Sequence, residues 1–176
     1  MSIRKAVSLA DKALDLSWDG TLPVDPKEIA EDLLIKNFSG SGDDKLPVVV
    51  RGRSSSFLEG VSGQARLAKD RDGYYYLCEY NKEEISYRTR FTIAHELAHV
   101  MLGHVREGRA PKRDTAFNNY QDPDEVAANA FAANLLMPED LVRDLYRSAR
   151  SVQDLAEAFG VSSAAMTYRL KNLGII

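Results

Sequence analysis

The sequence predicts an α+β protein, in which a small and mostly antiparallel sheet lies between N-terminal helices and a helical C-terminal half. Three observations support this prediction. Apolar residues recur at helical spacing at the N terminus, alternate in two runs around the turn "DRDG", and return to helical spacing from about Arg88. We expect one domain, residues 1–176, because no linker or internal repeat interrupts a chain of this length.

Two helices are predicted at the N terminus. Residues 3–16 place apolar side chains on one helical face. The stretch "DPKEIAEDLL" predicts a second helix, with Asp25 as its N-cap, Pro26 at the first helical position and Glu28 at the third. The following "GSGDDK" has the composition of a loop and separates these helices from the strands.

Strands are predicted by "LPVVV" and by the long stretch "GVSGQARLAKDRDGYYYLCEYN", in which two alternating runs form a β-hairpin. The side chains of Tyr74, Tyr75 and Tyr76 must alternate between the two faces of a strand, which favours core packing. The alternative is that the edge of this hairpin pairs with an extended substrate.

A mostly buried helix follows Arg88, with an apolar stripe from Phe91 to Leu102 and with Gly103 placed to end it. Residues 106–121 predict an unusually long loop, and such loops often serve a function, for example by covering a cleft. Four further helices are predicted by "DPDEVAANAFAANLLMP", "EDLVRDLYRSA", "VQDLAEAFG" and "SAAMTYRLKNLG".

Composition argues against several classes of protein. The net charge of −3 provides no general attraction to nucleic acid or to anionic membranes. No run of 18 or more apolar residues is present, and charged residues interrupt the first 17 where a signal peptide would be apolar. The only cysteine, Cys78, has no partner within the chain, which suits a reducing compartment. We therefore expect a cytoplasmic protein.

The stretch "HELAH" predicts a zinc site. Residues four apart lie on one face of a helix, so His95 and His99 can direct their imidazoles at one ion, with Glu96 beside them. A catalytic zinc lowers the pKa of a bound water to about 7 and needs a nearby carboxylate to take the proton, a role for which Glu96 is the candidate. A chance pattern on an amphipathic helix is the alternative, but buried polar side chains would then need other partners.

The third ligand is not determined by spacing. A metzincin would carry a histidine one residue after His104, so that class is excluded. Glu125 is the best placed carboxylate because it opens an apolar helix that can pack antiparallel to the histidine helix. It is also suited to cap that helix, together with Asp122 as N-cap and Pro123 at the first position. The other oxygen candidates are Glu107, Asp114, Asp122 and Asp124.

Two blocks of the chain resemble the ImmA/IrrE family of metallopeptidases. "RFTIAHELAHVMLGH" is followed by "DEVAANAFAANLLMP", and weaker similarity in "GVSGQA", "EYN" and the C-terminal stretch extends the resemblance over most of residues 60–176. The resemblance implies a zincin-like fold, a zinc cofactor held by His95, His99 and Glu125, and a cytoplasmic protease. It also implies a protein substrate, since known members cleave or inactivate helix-turn-helix repressors and so derepress phage, mobile-element or stress genes.

Two polar residues near the motif have open roles. His104 could donate to the developing oxyanion or act as a helix C-cap favoured by the dipole. Asn129 lies one turn after Glu125 and could orient that carboxylate, or could bond to backbone instead.

Residues 151–176 suggest a different class of function. "VQDLAEAFGVSSAAMTYRLKNLG" has the helix, turn and second helix of a helix-turn-helix, which would make the protein a DNA-binding regulator. Its charges cancel, with Arg169 and Lys171 against Asp154 and Glu157, and this disfavours binding to phosphates. We therefore expect an endopeptidase, and the alternative is a non-catalytic, zinc-containing regulator that binds a protein or DNA through its C-terminal helices.

Overall fold

The computed structural model describes residues 2–114 and 121–176, with residues 112–114 described by their backbone alone. These residues form seven helices and five strands, and none of the helices is long and apolar enough to cross a membrane. The helices are α1 (Ile3–Ser17), α2 (Pro26–Asp32), α3 (Ser86–Met101), α4 (Pro123–Leu136), α5 (Glu139–Tyr146), α6 (Val152–Phe159) and α7 (Ser163–Asn172). The strands are β1 (Leu34–Lys36), β2 (Lys45–Arg53), β3 (Gly63–Asp70), β4 (Gly73–Asn81) and β5 (Lys112–Asp114).

Both N-terminal helices are confirmed, but the second is shorter than predicted. Asp25 caps α2, accepting hydrogen bonds from the backbone amides of Lys27 (2.9 Å) and Glu28 (3.3 Å). The helix ends at Asp32 instead of continuing through Leu34, because Leu34–Lys36 pairs with β2 as an antiparallel strand. Pairing with a distant strand thus overrides the helical preference of this short segment.

The sheet has the order β1-β2-β4-β3-β5 and is mostly antiparallel, as predicted. The hairpin is confirmed, since β3 and β4 pair from Gly63 with Tyr80 to Asp70 with Gly73. One pairing differs, because β2 and β4 run parallel. The predicted loop over 106–121 also needs correction: Lys112–Asp114 forms β5, paired antiparallel to Gly63–Ala65, while residues 115–120 lie outside the described part of the chain.

Helix α3 is the central element of the core. Ala94, Leu97, Ala98 and Val100 have no exposed surface. The helix contacts β3 and β4 on one side and α4 on another, and α4 also packs on α1. In α1 the contact positions are small, with Ala6, Ala10 and Ala13 fully buried, so the helix backbones can approach closely. A polar side chain on the inner faces of α3 or α4 is therefore held rigidly.

The four predicted helices of the C-terminal half are confirmed, and Arg169 attaches the last of them to α4. This side chain is 7% exposed. Its Nε donates to the carbonyl oxygen of Met137 (3.1 Å), and its Nη2 donates to Oδ1 of Asn134 (2.8 Å). One of the two basic residues of 151–176 is thus used within the protein. The overall architecture is α+β, as the sequence predicts.

Candidate metal centre

Helices α3 and α4 run antiparallel and bring three side chains together. The Nε2 atoms of His95 and His99 lie 3.1 Å apart. Oε2 of Glu125 lies 3.1 Å from His95 Nε2, and its Oε1 lies 3.4 Å from His99 Nε2. The two histidines come from successive turns of α3, whereas Glu125 comes from the first turn of α4. One ligand atom from each residue lies within 4.8 Å of the other two.

The distances between these atoms fit a zinc ion. Tetrahedral zinc with nitrogen and oxygen ligands near 2.0–2.1 Å requires ligand atoms separated by about 3.3 Å. The two histidine nitrogens are 3.1 Å apart, and each has one Glu125 oxygen at a similar distance, Oε2 at 3.1 Å from His95 and Oε1 at 3.4 Å from His99. Two imidazoles and one carboxylate are also a ligand set of catalytic zinc sites, in which the fourth position stays open. The residues present could therefore hold the metal.

Glu125 lies in the first turn of α4, and its carboxylate faces the two histidines. Asp122 is the N-cap of this helix, as predicted, and its Oδ1 accepts a hydrogen bond from the amide of Asp124 at 2.9 Å. Burial raises the pKa of Glu125, but hydrogen bonds from His95 and His99 outweigh that effect and hold the pKa well below its ordinary value. Glu125 is therefore ionised, which is the form that binds a metal.

Both histidines have polar partners on their Nδ1 atoms. Asn129 Oδ1 lies 3.0 Å from His95 Nδ1. His104 Nδ1 lies 2.8 Å from His99 Nδ1, and His104 is only 4% exposed. His104 thus lies against the Nδ1 edge of the His99 ring, whereas Glu125 lies against the Nε2 edge.

The remaining oxygen candidates do not join this cluster among the described side chains. Glu107 is exposed and accepts a hydrogen bond from the hydroxyl of Tyr74 at 3.2 Å. Asp122 caps α4, and Asp124 Oδ1 lies 3.2 Å from His104 Nε2. The side chain of Asp114 lies outside the described part of the structure.

Glu96, the candidate base, lies next to Gly63 of β3, a glycine to which the sequence alone assigned no role. Glu96 is 1% exposed. A Cβ atom placed on Gly63 would lie 3.0 Å from Glu96 Oε1, 2.4 Å from Thr92 Cγ2 and 2.9 Å from the carbonyl oxygen of Glu79. Only glycine fits here. A glycine at the start of a predicted strand was the available signal, because such a residue often marks close approach of another segment.

The strand that contains Gly63 is not a free edge at this point. β5 pairs with Gly63–Ala65, directly beside the residue that approaches Glu96. Because β5 already pairs with Gly63–Ala65, the predicted pairing of a substrate with the hairpin would have to use another part of this edge or β5 itself. Of the three tyrosines, Tyr76 is fully buried and donates to the carbonyl oxygen of Lys36 at 2.8 Å, whereas Tyr74 is 37% exposed. Core packing is thus confirmed for Tyr76.

Cys78 and Glu79 on β4 are both buried, on opposite faces of the sheet. Burial raises the pKa of the Cys78 thiol well above its ordinary value, and the nearby Glu96 and Glu79 add to this effect, so the thiol is neutral. Glu79 accepts hydrogen bonds from Arg53 Nε (2.7 Å) and Gln64 Nε2 (2.6 Å). The hydrogen bonds of Glu79 thus link β4 to β2 and β3.

The fold and the paired histidines with a downstream glutamate define a zincin-like metallopeptidase. The comparisons agree, since the model of the IrrE N-terminal-like domain, peptidase family M78, matches residues 63–171. That match covers more than half of the chain, which therefore belongs to the ImmA/IrrE family of metallopeptidases, as the sequence motifs indicated. No curated protein matches the chain.

Proposed function

We propose that this protein is a zinc-dependent endopeptidase, with His95, His99 and Glu125 as metal ligands and Glu96 as the general base. The observation that supports the proposal most directly is the convergence of the Glu125 carboxylate with both histidines, with one ligand atom from each residue within 4.8 Å of the other two. When bound, zinc supplies a Lewis acid that polarises the scissile carbonyl and acidifies the attacking water.

The chain's own residues supply the other parts of the reaction. Glu96 takes a proton from the attacking water and later delivers it to the leaving amine nitrogen. The side chain of Glu96 is buried against Gly63 of β3, which holds the carboxylate in one place and favours proton transfer over a fixed distance. Asn129 Oδ1 accepts a hydrogen bond from His95 Nδ1–H, and this directs the Nε2 lone pair of His95 toward the centre.

We further propose that residues 1–176 act as one domain on a protein substrate in the cytoplasm. The buried apolar residues of α1 through α7 form one cluster, which supports the single domain. The family resemblance suggests a helix-turn-helix repressor as the substrate, whose cleavage would derepress phage, mobile-element or stress genes. The first substrates to test are repressors encoded next to this protein.

The test is Glu96→Gln. This variant keeps the size and burial of the side chain but cannot accept the proton, so we expect repressor cleavage to fall by at least about 100-fold. Zinc content, measured by mass spectrometry on protein purified without chelator or metal-affinity tag, should stay at about one ion per chain. Glu125→Ala should instead lower the zinc content, because it removes a proposed ligand.

The same experiment distinguishes the endopeptidase from the alternative function. A non-catalytic regulator that uses zinc only for its structure would act equally well with Gln at position 96. The burial of Arg169 argues against the DNA-binding form of that alternative, since it removes one of the two cations of 151–176 from any phosphate contact. Wild-type protein that binds no zinc even when zinc is supplied would contradict the endopeptidase proposal.

A further inference from the structure

The end of α3 folds back so that His104 lies against His99. The helix ends at Met101, and Gly103 has a φ of +78°, in the left-handed region. The amide of His104 donates to the carbonyl oxygen of His99 (2.9 Å), and that of Gly103 donates to Val100 (3.1 Å). These two bonds form a Schellman motif, which places the residue after the glycine next to the last turn of the helix. The backbone thus sets the position of His104.

The contact between the two rings determines where their protons lie when a metal is bound. At 2.8 Å between the Nδ1 atoms, one nitrogen must carry a hydrogen and the other must accept it. His99 Nε2 faces His95 and Glu125, and a nitrogen that binds a metal must present a lone pair. The neutral ring of His99 therefore carries its hydrogen on Nδ1, and His104 Nδ1 accepts it.

The hydrogen of the neutral His104 ring is then on Nε2, and a carboxylate oxygen lies near this atom. Asp124 Oδ1 is 3.2 Å from His104 Nε2. Asp124 precedes Glu125 in the first turn of α4, so the same turn provides a proposed metal ligand and the carboxylate beside His104. The hydrogen of His99 therefore points to His104, and the carboxylate of Asp124 lies close to the nitrogen of His104 that carries the other hydrogen.

We propose that His104 and Asp124 are positioning residues that select the tautomer and orientation of His99 and thereby strengthen metal binding. The inference rests on the proposed function, because it requires His99 to be a metal ligand. Neither residue has to touch the substrate. Partners of this kind fix the ring of a ligating histidine and increase its basicity.

The first test is zinc affinity, measured by competition with a chromogenic chelator. We expect His104→Leu to weaken zinc binding by about 10- to 100-fold, the range for loss of such a partner. His104→Gln should recover part of this loss, since its amide oxygen can accept from His99 and its amide group can donate to Asp124. Asp124→Ala should weaken binding less than His104→Leu. The control is Asp122→Asn, which removes a charge from the same helix end, keeps a capping oxygen and should leave affinity within about twofold.

A double variant and a spectrum test the mechanism itself. If the two residues act in one chain, His104→Leu combined with Asp124→Ala should bind zinc no more weakly than His104→Leu alone. The protein has three histidines, so long-range proton–nitrogen correlation spectra of the zinc-loaded form contain three imidazole patterns. We expect His99 to be protonated at Nδ1 and His104 at Nε2.

The results that would overturn the inference are distinct from those that would overturn the proposed function. If the wild type binds zinc and folded His104→Leu binds it equally well, the positioning role is wrong while the endopeptidase proposal stands. A hydrogen on His104 Nδ1 in the zinc-loaded protein would have the same meaning. Wild type that fails to bind zinc would overturn both. Should His104→Leu not fold, Asp124→Ala provides the test at a side chain that is 34% exposed.

Discussion

The close contact at Gly63 makes a quantitative prediction. Gly63→Ala would add a Cβ atom 2.4 Å from Thr92 Cγ2, 2.9 Å from the backbone oxygen of Glu79 and 3.0 Å from Glu96 Oε1. Carbon atoms in van der Waals contact are about 3.5–4.0 Å apart, so the Thr92 methyl group must move by roughly 1 Å. The backbone oxygen belongs to the central strand β4 and cannot move away without disturbing the sheet.

Two separate losses should follow from Gly63→Ala. Forcing an extra carbon into a packed core costs about 1–3 kcal/mol, and we expect the free energy of unfolding to fall by that amount. The contact at 3.0 Å displaces Glu96 less than Thr92, and because a misplacement of about 1 Å in a catalytic group can cost on the order of 100-fold in rate, we expect peptide turnover to fall by about 3- to 10-fold. Zinc content should stay unchanged, because Glu96 is not a proposed ligand.

Urea unfolding, zinc content and turnover of a cleaved repressor measure these effects. Adding Thr92→Ser to Gly63→Ala removes the methyl group at 2.4 Å and should restore part of the lost stability. Gly42→Ala is the control, since its new Cβ would meet nothing closer than Asp44 N at 4.0 Å. If Gly63→Ala keeps both the stability and the turnover of the wild type, the packing argument at this position is wrong.

Three further predictions concern stability. Burial raises the pKa of Glu79, but hydrogen bonds from Gln64 and Arg53 lower it below its ordinary value, so its stabilising effect is complete above about pH 5 and is lost as pH falls through the lowered pKa. Urea midpoints of Glu79→Gln should therefore be lower at neutral pH and decline less in acid than those of the wild type; parallel curves would contradict this. Arg169→Leu should lower the free energy of unfolding by about 1.5–3 kcal/mol, as measured by urea titration, because it leaves buried acceptors without their charged donor. Gly103→Ala should lower the free energy of unfolding by about 1–2 kcal/mol because of its left-handed backbone, and by more because the new Cβ would lie 2.9 Å from the Phe38 ring. The variant should also weaken zinc binding. Unchanged affinity would argue against the role of the backbone in placing His104.

Local signals in the sequence predicted most of the helices and strands. Asp25 and Pro26 mark the start of α2, and the turn "DRDG" closes the hairpin, because capping and turn preferences depend on neighbouring residues. The two short strands were missed. Leu34–Lys36 and Lys112–Asp114 form only through pairing with β2 and β3, and three residues carry too little alternation to reveal this.

By itself the sequence determined the family and the candidate groups on α3, because residues four apart on a helix share a face whatever surrounds them. Only the tertiary structure placed the Glu125 carboxylate beside His95 and His99, Asn129 beside His95 and Asp124 beside His104. It also showed that the absence of a side chain at Gly63 makes space for the carboxylate of Glu96. These are distances between residues 20 to 34 positions apart in the sequence, and such distances depend on how α3, α4 and β3 pack, which no local pattern specifies.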